Sequence, residues 1–257
     1  MEGIKKYTHQ QREQIVREMI PLIKKKFGKN LVALAAQASF ARGDDYYYSD
    51  LELNAFLKKK PRSKKRGMSK IRDGILVELT WMTKEDYIKS TKEVTKEWYL
   101  AGSDTLVPII NKPFIDKLNK YKVANLKEKC LHQAVIHWHE VQEYTAKVLN
   151  AIAQQNRENL PFLVLGMLDS MLISLSLLNQ IPYITAAKFI TQARSFKHKP
   201  ERFDDLMDSI LKGDCQNLEA LEKNIINVFE GFEKIFKKLG CQLYDDNVDP
   251  SRPNNKI

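Results

Sequence analysis

Two carboxylates, Asp50 and Glu52, open a stretch in which polar and apolar side chains alternate: Asp50-Leu51-Glu52-Leu53-Asn54. A period of two is the period of a strand, so Asp50, Glu52 and Asn54 share one face, with same-face neighbours about 6.5–7 Å apart. Glu78 is the only charge in the apolar run Gly74-Ile75-Leu76-Val77-Glu78-Leu79. A carboxylate in such surroundings is costly unless it is paired or bound to a cation. Three hard oxygen donors suit Mg²⁺, which binds through a few carboxylates plus the phosphates of a substrate. Upstream, Ala38-Ser39-Phe40-Ala41-Arg42 reads as a small-residue turn. Ser39 and the turn's N–H groups offer donors, Arg42 a fork-shaped cation for phosphate oxygens, and Ser49 a second hydroxyl. Phosphate and divalent metal together point to in-line transfer from a nucleoside triphosphate. The plainer reading makes Asp50 and Glu52 the wet face of an edge strand. The preceding turn and the third carboxylate weigh against it.

The elements that must hold these residues follow from periodicity. Thr8 with Gln11 forms a capping box, and Ile15, Met19, Leu22, Ile23 and Phe27 mark a first helix with Pro21 inside it, stopped at Gly28. Leu31–Ala36 reads as a buried strand, 71–81 as one further strand, Thr83 as the cap of a helix over Lys84–Lys92, and 105–110 as another strand. From Asn125 the pattern turns helical. Asn125 caps a helix striped by Leu131, Val135, Trp138, Val141, Thr145, Val148 and Ile152. Further helices are expected over 161–178, 186–194, 201–211 and 216–239. The fold class is α+β: a mixed sheet with helices over residues 1–124, an all-α bundle over 125–244, and a loose tail over 245–257.

Bulk properties narrow the function. The net charge is +10 over 257 residues, and residues 58–66 hold seven of the basic side chains. The run KKKPRSKKR is either a polyanion patch or a solvated hairpin whose lysines discourage edge pairing, and the absence of interleaved aromatics favours the second. Nucleic acid is therefore not the first partner expected. Three widely spaced cysteines, Cys130, Cys215 and Cys241, fit a reducing cytoplasm. The N-terminus lacks the apolar core of a signal peptide. Leu160 to Leu178 is long enough to span a bilayer, but Asp169 at its middle makes a buried core helix the better reading, so no membrane is expected.

The chain resembles the nucleotidyltransferases of the DNA polymerase β superfamily: an apolar strand, a serine turn, Asp-x-Glu, then a carboxylate on a later strand. Within that superfamily it is similar to the kanamycin nucleotidyltransferase family. The likeness runs through KKKFGKN, Tyr48-Ser49-Asp50-Leu51-Glu52, Glu143-Tyr144-x-x-Lys147, MLISLSLLNQIPYITAAKFITQA and KKLGCQLY. The resemblance implies that the first domain is a nucleotidyltransferase domain in which Asp50 and Glu52 bind Mg²⁺ with Glu78 beside them. It implies that Ser39, Arg42, Ser49 and Lys147 hold the NTP, ATP first among candidates, and that Glu143 is the general base. It also implies an aminoglycoside acceptor and a homodimer. From spacing alone, Glu143 and Lys147 are an ordinary i,i+4 pair on an exposed helix face.

Two features depart from the family pattern. Ala38 stands where the family has glycine; at negative φ its methyl group costs little, at positive φ the turn is strained. The basic run replaces a stretch that is acidic in the kanamycin enzyme, and a positive rim repels a polycation. Two other readings therefore stand beside the first: transfer to an anionic acceptor such as an RNA end, and a homologue that binds nucleotide without turnover. His137 and His139 read as ordinary helix residues, since positions two apart diverge on a helix.

Overall fold

The computed structural model describes residues 3–61, 65–101, 105–213 and 217–244. The 245–257 tail, Cys215 and positions 62–64 of the basic run lie outside the described residues. The chain divides into two units: Met1–Glu93 with Asp104–Ala124, and Val94–Ser103 with Asn125–Ile257. The segment 94–103, read from sequence as part of the first unit, groups with the second. Trp98 is buried in the helical core, and the Tyr183 N–H donates to the Tyr99 carbonyl at 2.6 Å.

The first unit opens with α1 (His9–Phe27), which starts at the expected capping box. The Gln11 N–H donates to Thr8 Oγ1 at 3.3 Å, and the Thr8 N–H donates to Gln11 Oε1 at 2.8 Å. The buried stripe is Ile15, Val16, Met19 and Ile23; Leu22, counted into it from sequence, is exposed. Then follow β1 (Leu31–Ala36), α2 (Ala38–Arg42), β2 (Leu51–Leu57), β3 (Gly67–Arg72), β4 (Ile75–Thr83) and α3 (Lys84–Lys92), the last capped by Thr83. After α4 (Trp98–Ala101), which belongs to the second unit, β5 (Val107–Ile110) and α5 (Lys112–Leu118) complete the first.

The five strands form one sheet in the order β3-β4-β2-β1-β5. Every neighbouring pair is antiparallel except β2 with β4, which is parallel. The single strand expected over 71–81 is instead a hairpin of β3 and β4. Asp73 (φ 50°) and Gly74 (φ 86°) turn it, and two positive-φ residues in succession match the twist of antiparallel strands. The Asp-Gly pair was a visible turn signal, hidden by the apolar residues on both sides of it.

Alternation sends side chains to two faces. Leu34, Leu51, Leu53, Val77, Leu79 and Trp81 pack with the stripe of α1. Ala33, Ala35 and Phe56 pack on the other face with Leu106, Ile115 and Leu118. Each large apolar side chain so buried contributes roughly 1.5–3 kcal/mol.

One polar residue lies among them. Arg12, in the first turn of α1, is fully buried, and so is the side chain of Asp45, whose Oδ2 lies 2.9 Å from Nη1. The guanidinium also donates to the carbonyls of Tyr7 (3.0 Å), Tyr46 (2.7 Å), Tyr47 (3.1 Å) and Ser49 (2.9 Å from Nη2, 3.1 Å from Nε). This side chain, together with the His9–Asp45 contact at 2.6 Å, thus holds the loop between α2 and β2 against α1.

The second unit is helical: α6 (Leu126–Ala153), α7 (Leu160–Asn179), α8 (Phe189–Arg194), α9 (Phe203–Leu211) and α10 (Leu218–Lys238). Asn125 precedes α6 in a left-handed conformation (φ 52°), and its side chain makes no capping hydrogen bond, contrary to the expectation. Trp138 sits at the centre, its ring 4.8 Å from Phe229 and 5.2 Å from Phe236. The apolar stretch read as a core helix is α7, and most of it is buried. Gly166 lets α7 approach α6 closely, since a Cβ there would lie 2.5 Å from the Tyr144 ring.

Replacing Arg12 with Met removes one partner of a buried ion pair and should destabilise the fold by about 3–5 kcal/mol, read as a lower denaturant midpoint. Ala38 has φ 58°, the strained one of the two cases open from sequence. Ala38→Gly should therefore raise stability by about 1 kcal/mol. An unchanged or lower midpoint for that variant would show that the turn is not strained.

Candidate active site

The carboxylates are positioned by the parallel pairing of β2 and β4. Glu52 and Glu78 are direct partners in that register, so both side chains leave the same face of the sheet. Asp50 precedes β2 by one residue and senses Glu78 electrostatically. Burial, then the like charge of Glu78, pushes the Asp50 pKa up, with Arg12 and a backbone hydrogen bond opposing.

Two of the three carboxylates have fixed partners. Gln37, the residue between β1 and α2, donates from Nε2 to Glu52 Oε2 at 2.7 Å, and its backbone N–H donates to the Glu52 carbonyl at 3.1 Å. Asn54, nearly fully buried, donates from Nδ2 to Gln37 Oε1. The chain Asn54–Gln37–Glu52 thus orients the carboxylate through two neutral amides. Across the sheet, Ser69 on β3 donates from Oγ to Glu78 Oε1 at 2.8 Å. Sequence reasoning put Asn54 on the carboxylate face but gave it no role, and missed Gln37 and Ser69. A polar residue ending the apolar run of β1 was the available signal for Gln37.

The residues expected to meet phosphate lie around α2. The expected turn is a five-residue helix, closed by Gly43 at φ 73°, whose N–H donates to the Ser39 and Phe40 carbonyls. Arg42 donates from Nε to Asp44 Oδ1 at 3.2 Å. Its side chain lines a cavity of about 440 Å³ between α1, α2 and β5. Ser49 Oγ accepts the Tyr46 N–H at 3.0 Å, while its carbonyl is held by Arg12. Ser49 is therefore part of the loop's internal structure.

In the helical unit, Glu143 and Lys147 lie on the exposed side of α6 and form an ion pair at 2.7 Å. The hydrogen bond that Lys147 donates to Glu143 raises the Lys147 pKa. Lys147 also lies over the Tyr144 ring, 5.1 Å from its centroid. His137 on the same helix is buried, with Nε2 3.2 Å from the Ser170 carbonyl.

Among the described residues, no three of His, Cys, Asp and Glu form a ready metal cage. The donor chemistry nevertheless fits a hard divalent cation: carboxylate oxygens in a partly buried place where two charges already repel. A cation that keeps several waters and takes the rest of its shell from substrate phosphates needs no closed protein cage.

The chain is similar to known proteins over most of its length. Residues 117–242 match the KNTase C-terminal domain family. Two relatives, from Staphylococcus aureus and from a Bacillus species, are both named aminoglycoside nucleotidyltransferase (4'). Each is 24% identical over 241 residues, covering 91% of this chain and 93% of the relative. Among solved structures, a nucleotidyltransferase-like protein from Exiguobacterium sibiricum aligns with a TM-score of 0.48 and 14% identity, over 87% of this chain and 75% of that one. The chain is thus similar to aminoglycoside nucleotidyltransferases along nearly its whole length, with the KNTase C-terminal domain matched over residues 117–242.

Proposed function

We propose that the chain transfers a nucleoside monophosphate from an NTP, ATP first, to a hydroxyl of an aminoglycoside and releases pyrophosphate. The observation that carries this reading is the in-register pair Glu52 and Glu78 with Asp50 beside it, directly after the serine-bearing α2. The relatives' names supply the acceptor class. Asp50, Glu52 and Glu78 hold Mg²⁺, which neutralises the phosphate charge that builds up during in-line displacement. Ser39, Arg42, Ser49 and Lys147 bind the triphosphate, and Glu143 takes the proton as the acceptor oxygen bonds to the α-phosphorus and the bond to pyrophosphate breaks. The roles of Glu143 and Lys147 rest on the family resemblance, as does a homodimer. The Glu143–Lys147 ion pair supports a coupling between them: a triphosphate that draws Lys147 away frees the Glu143 carboxylate to meet the acceptor hydroxyl.

A pyrophosphate-release assay with Mg²⁺, a panel of NTPs and an aminoglycoside tests the reading. Turnover should be lost in Asp50→Asn. Retained turnover in that variant overturns the assignment of Asp50, and no release with any aminoglycoside overturns the acceptor.

The raised Asp50 pKa gives a second test. Its folded pKa lies above the unfolded one, so the ionised group opposes folding as pH rises through that window. Asp50→Asn should therefore melt higher than wild type at pH 7, and the difference should vanish below about pH 3.8, the ordinary aspartate value. Thermal melts across pH read this without any substrate.

Gln37 is the positioning residue of the set. Gln37→Leu should weaken Mg²⁺ affinity or activity about 10- to 100-fold, the usual loss when a partner of a metal ligand is removed. Gln37→Glu, which cannot donate to Glu52, should not rescue it.

A further inference from the structure

Turned away from the carboxylates, the same sheet carries a second built feature. Along β3, Ser69 faces Glu78, so Met68 and Lys70 point to the opposite face, where α1 packs. There the last turn of α1, Pro61 and Lys65 from between β2 and β3, and β3 itself line a cavity of about 470 Å³. Lys26, Lys65 and Lys70 line it over a floor that includes Phe27, Met68 and Trp81, and no described acidic residue contributes to its lining.

The lysines are mounted on a fixed frame. Trp81 donates from Nε1 to the Lys65 carbonyl at 2.9 Å, and its backbone N–H donates to the Arg66 carbonyl at 2.8 Å. Asn30 clamps the other end of the loop, accepting the Lys59 N–H at 3.0 Å and donating to the Lys59 carbonyl at 3.1 Å. Lys26 Nζ lies 4.3 Å over the Trp81 ring. A loop whose lysines served only to stay in water would need none of these anchors. The sequence shows no aromatic residue inside the basic run, but the fold brings Phe27 and Trp81 to it.

The ligand chemistry follows from charge and exposure. Lys29, Lys58 and Lys59, on the elements that frame the cavity, are exposed, while Lys60 of the same loop pairs with Asp86 at 2.5 Å. A surface longer than one phosphate favours a linear polyanion, which gains by releasing its counterions. Trp81 is only 4% exposed and is covered by Lys26, so no base can stack on it. The contacts open to a strand are therefore to its backbone. We infer that this cleft holds the phosphodiester backbone of a single nucleic-acid strand, independently of sequence and on the side of the sheet away from the carboxylates.

The test is fluorescence anisotropy of the full chain with labelled 20-nucleotide oligo-U, oligo-A and oligo-dT, over a series of salt concentrations. Binding should be similar for all three, and log K should fall linearly with log salt. The triple variant Lys26→Gln, Lys65→Gln, Lys70→Gln should lose about two units of that slope, at roughly 0.7 for each phosphate contact on a single strand. It should keep the melting temperature and the nucleotidyl transfer of the wild type. Lys65→Glu, a change at an exposed loop position, should alone weaken binding should the triple variant fold poorly. Two results would overturn the inference: no binding at 50 mM salt, or an unchanged slope in both variants.

Discussion

The buried guanidinium of Arg12 is the constraint on which the candidate site depends. The loop between α2 and β2 has almost no apolar side chain to hold it, and Tyr46, Tyr47 and Tyr48 are exposed. It is ordered instead through its own carbonyls, drawn onto one cation that the first helix supplies. Asp45 completes the arrangement by balancing that cation inside the protein. Because Asp50 follows directly, the position of this candidate metal-binding carboxylate is fixed from outside β2. The same cation is close enough to Asp50 to favour its ionised form, so one residue both shapes the loop and moderates the charge at its end.

Much of this was legible in the sequence. The capping box, the strand Leu31–Ala36, the alternation that makes β2 a strand, and the helical second half all come from periodicity and caps. These are local signals that the fold leaves intact. Pairing was not legible. Nothing local says that β2 lies parallel to β4, which is what makes Glu52 and Glu78 neighbours. The hairpin of β3 and β4 was misread as one strand because apolar residues flank Asp73-Gly74 closely on both sides. Arg12 was passed over because an arginine in a first helical turn is ordinarily solvated. Its burial depends on carbonyls more than thirty residues away. Gln37 and Asn54 were overlooked for a related reason: an amide gains meaning only from what faces it.

The unexpected basic character of the chain also has a place in the fold. Glu52 and Glu78 leave one face of the sheet, while Lys70 leaves the other to join Lys26 and Lys65. A positive rim around the carboxylates would work against a cationic acceptor, but this cluster is separated from them by the sheet itself. The two electrostatic characters coexist because strand alternation keeps them on different sides.

The parallel register of β2 and β4 has a consequence for how such a chain can change. The relative position of the two glutamates is set by strand pairing, to which the connection adds the Ser69 hydrogen bond from β3. The part of the connection before β3 can therefore exchange its residues without altering that register. A one-residue slip in the pairing would do the opposite, turning Glu78 into the apolar layer under α1. The register of the two carboxylates is thus insulated from the loop that precedes β3. A lysine-rich loop, or one of another charge, can occupy that place beside an unaltered pair of glutamates.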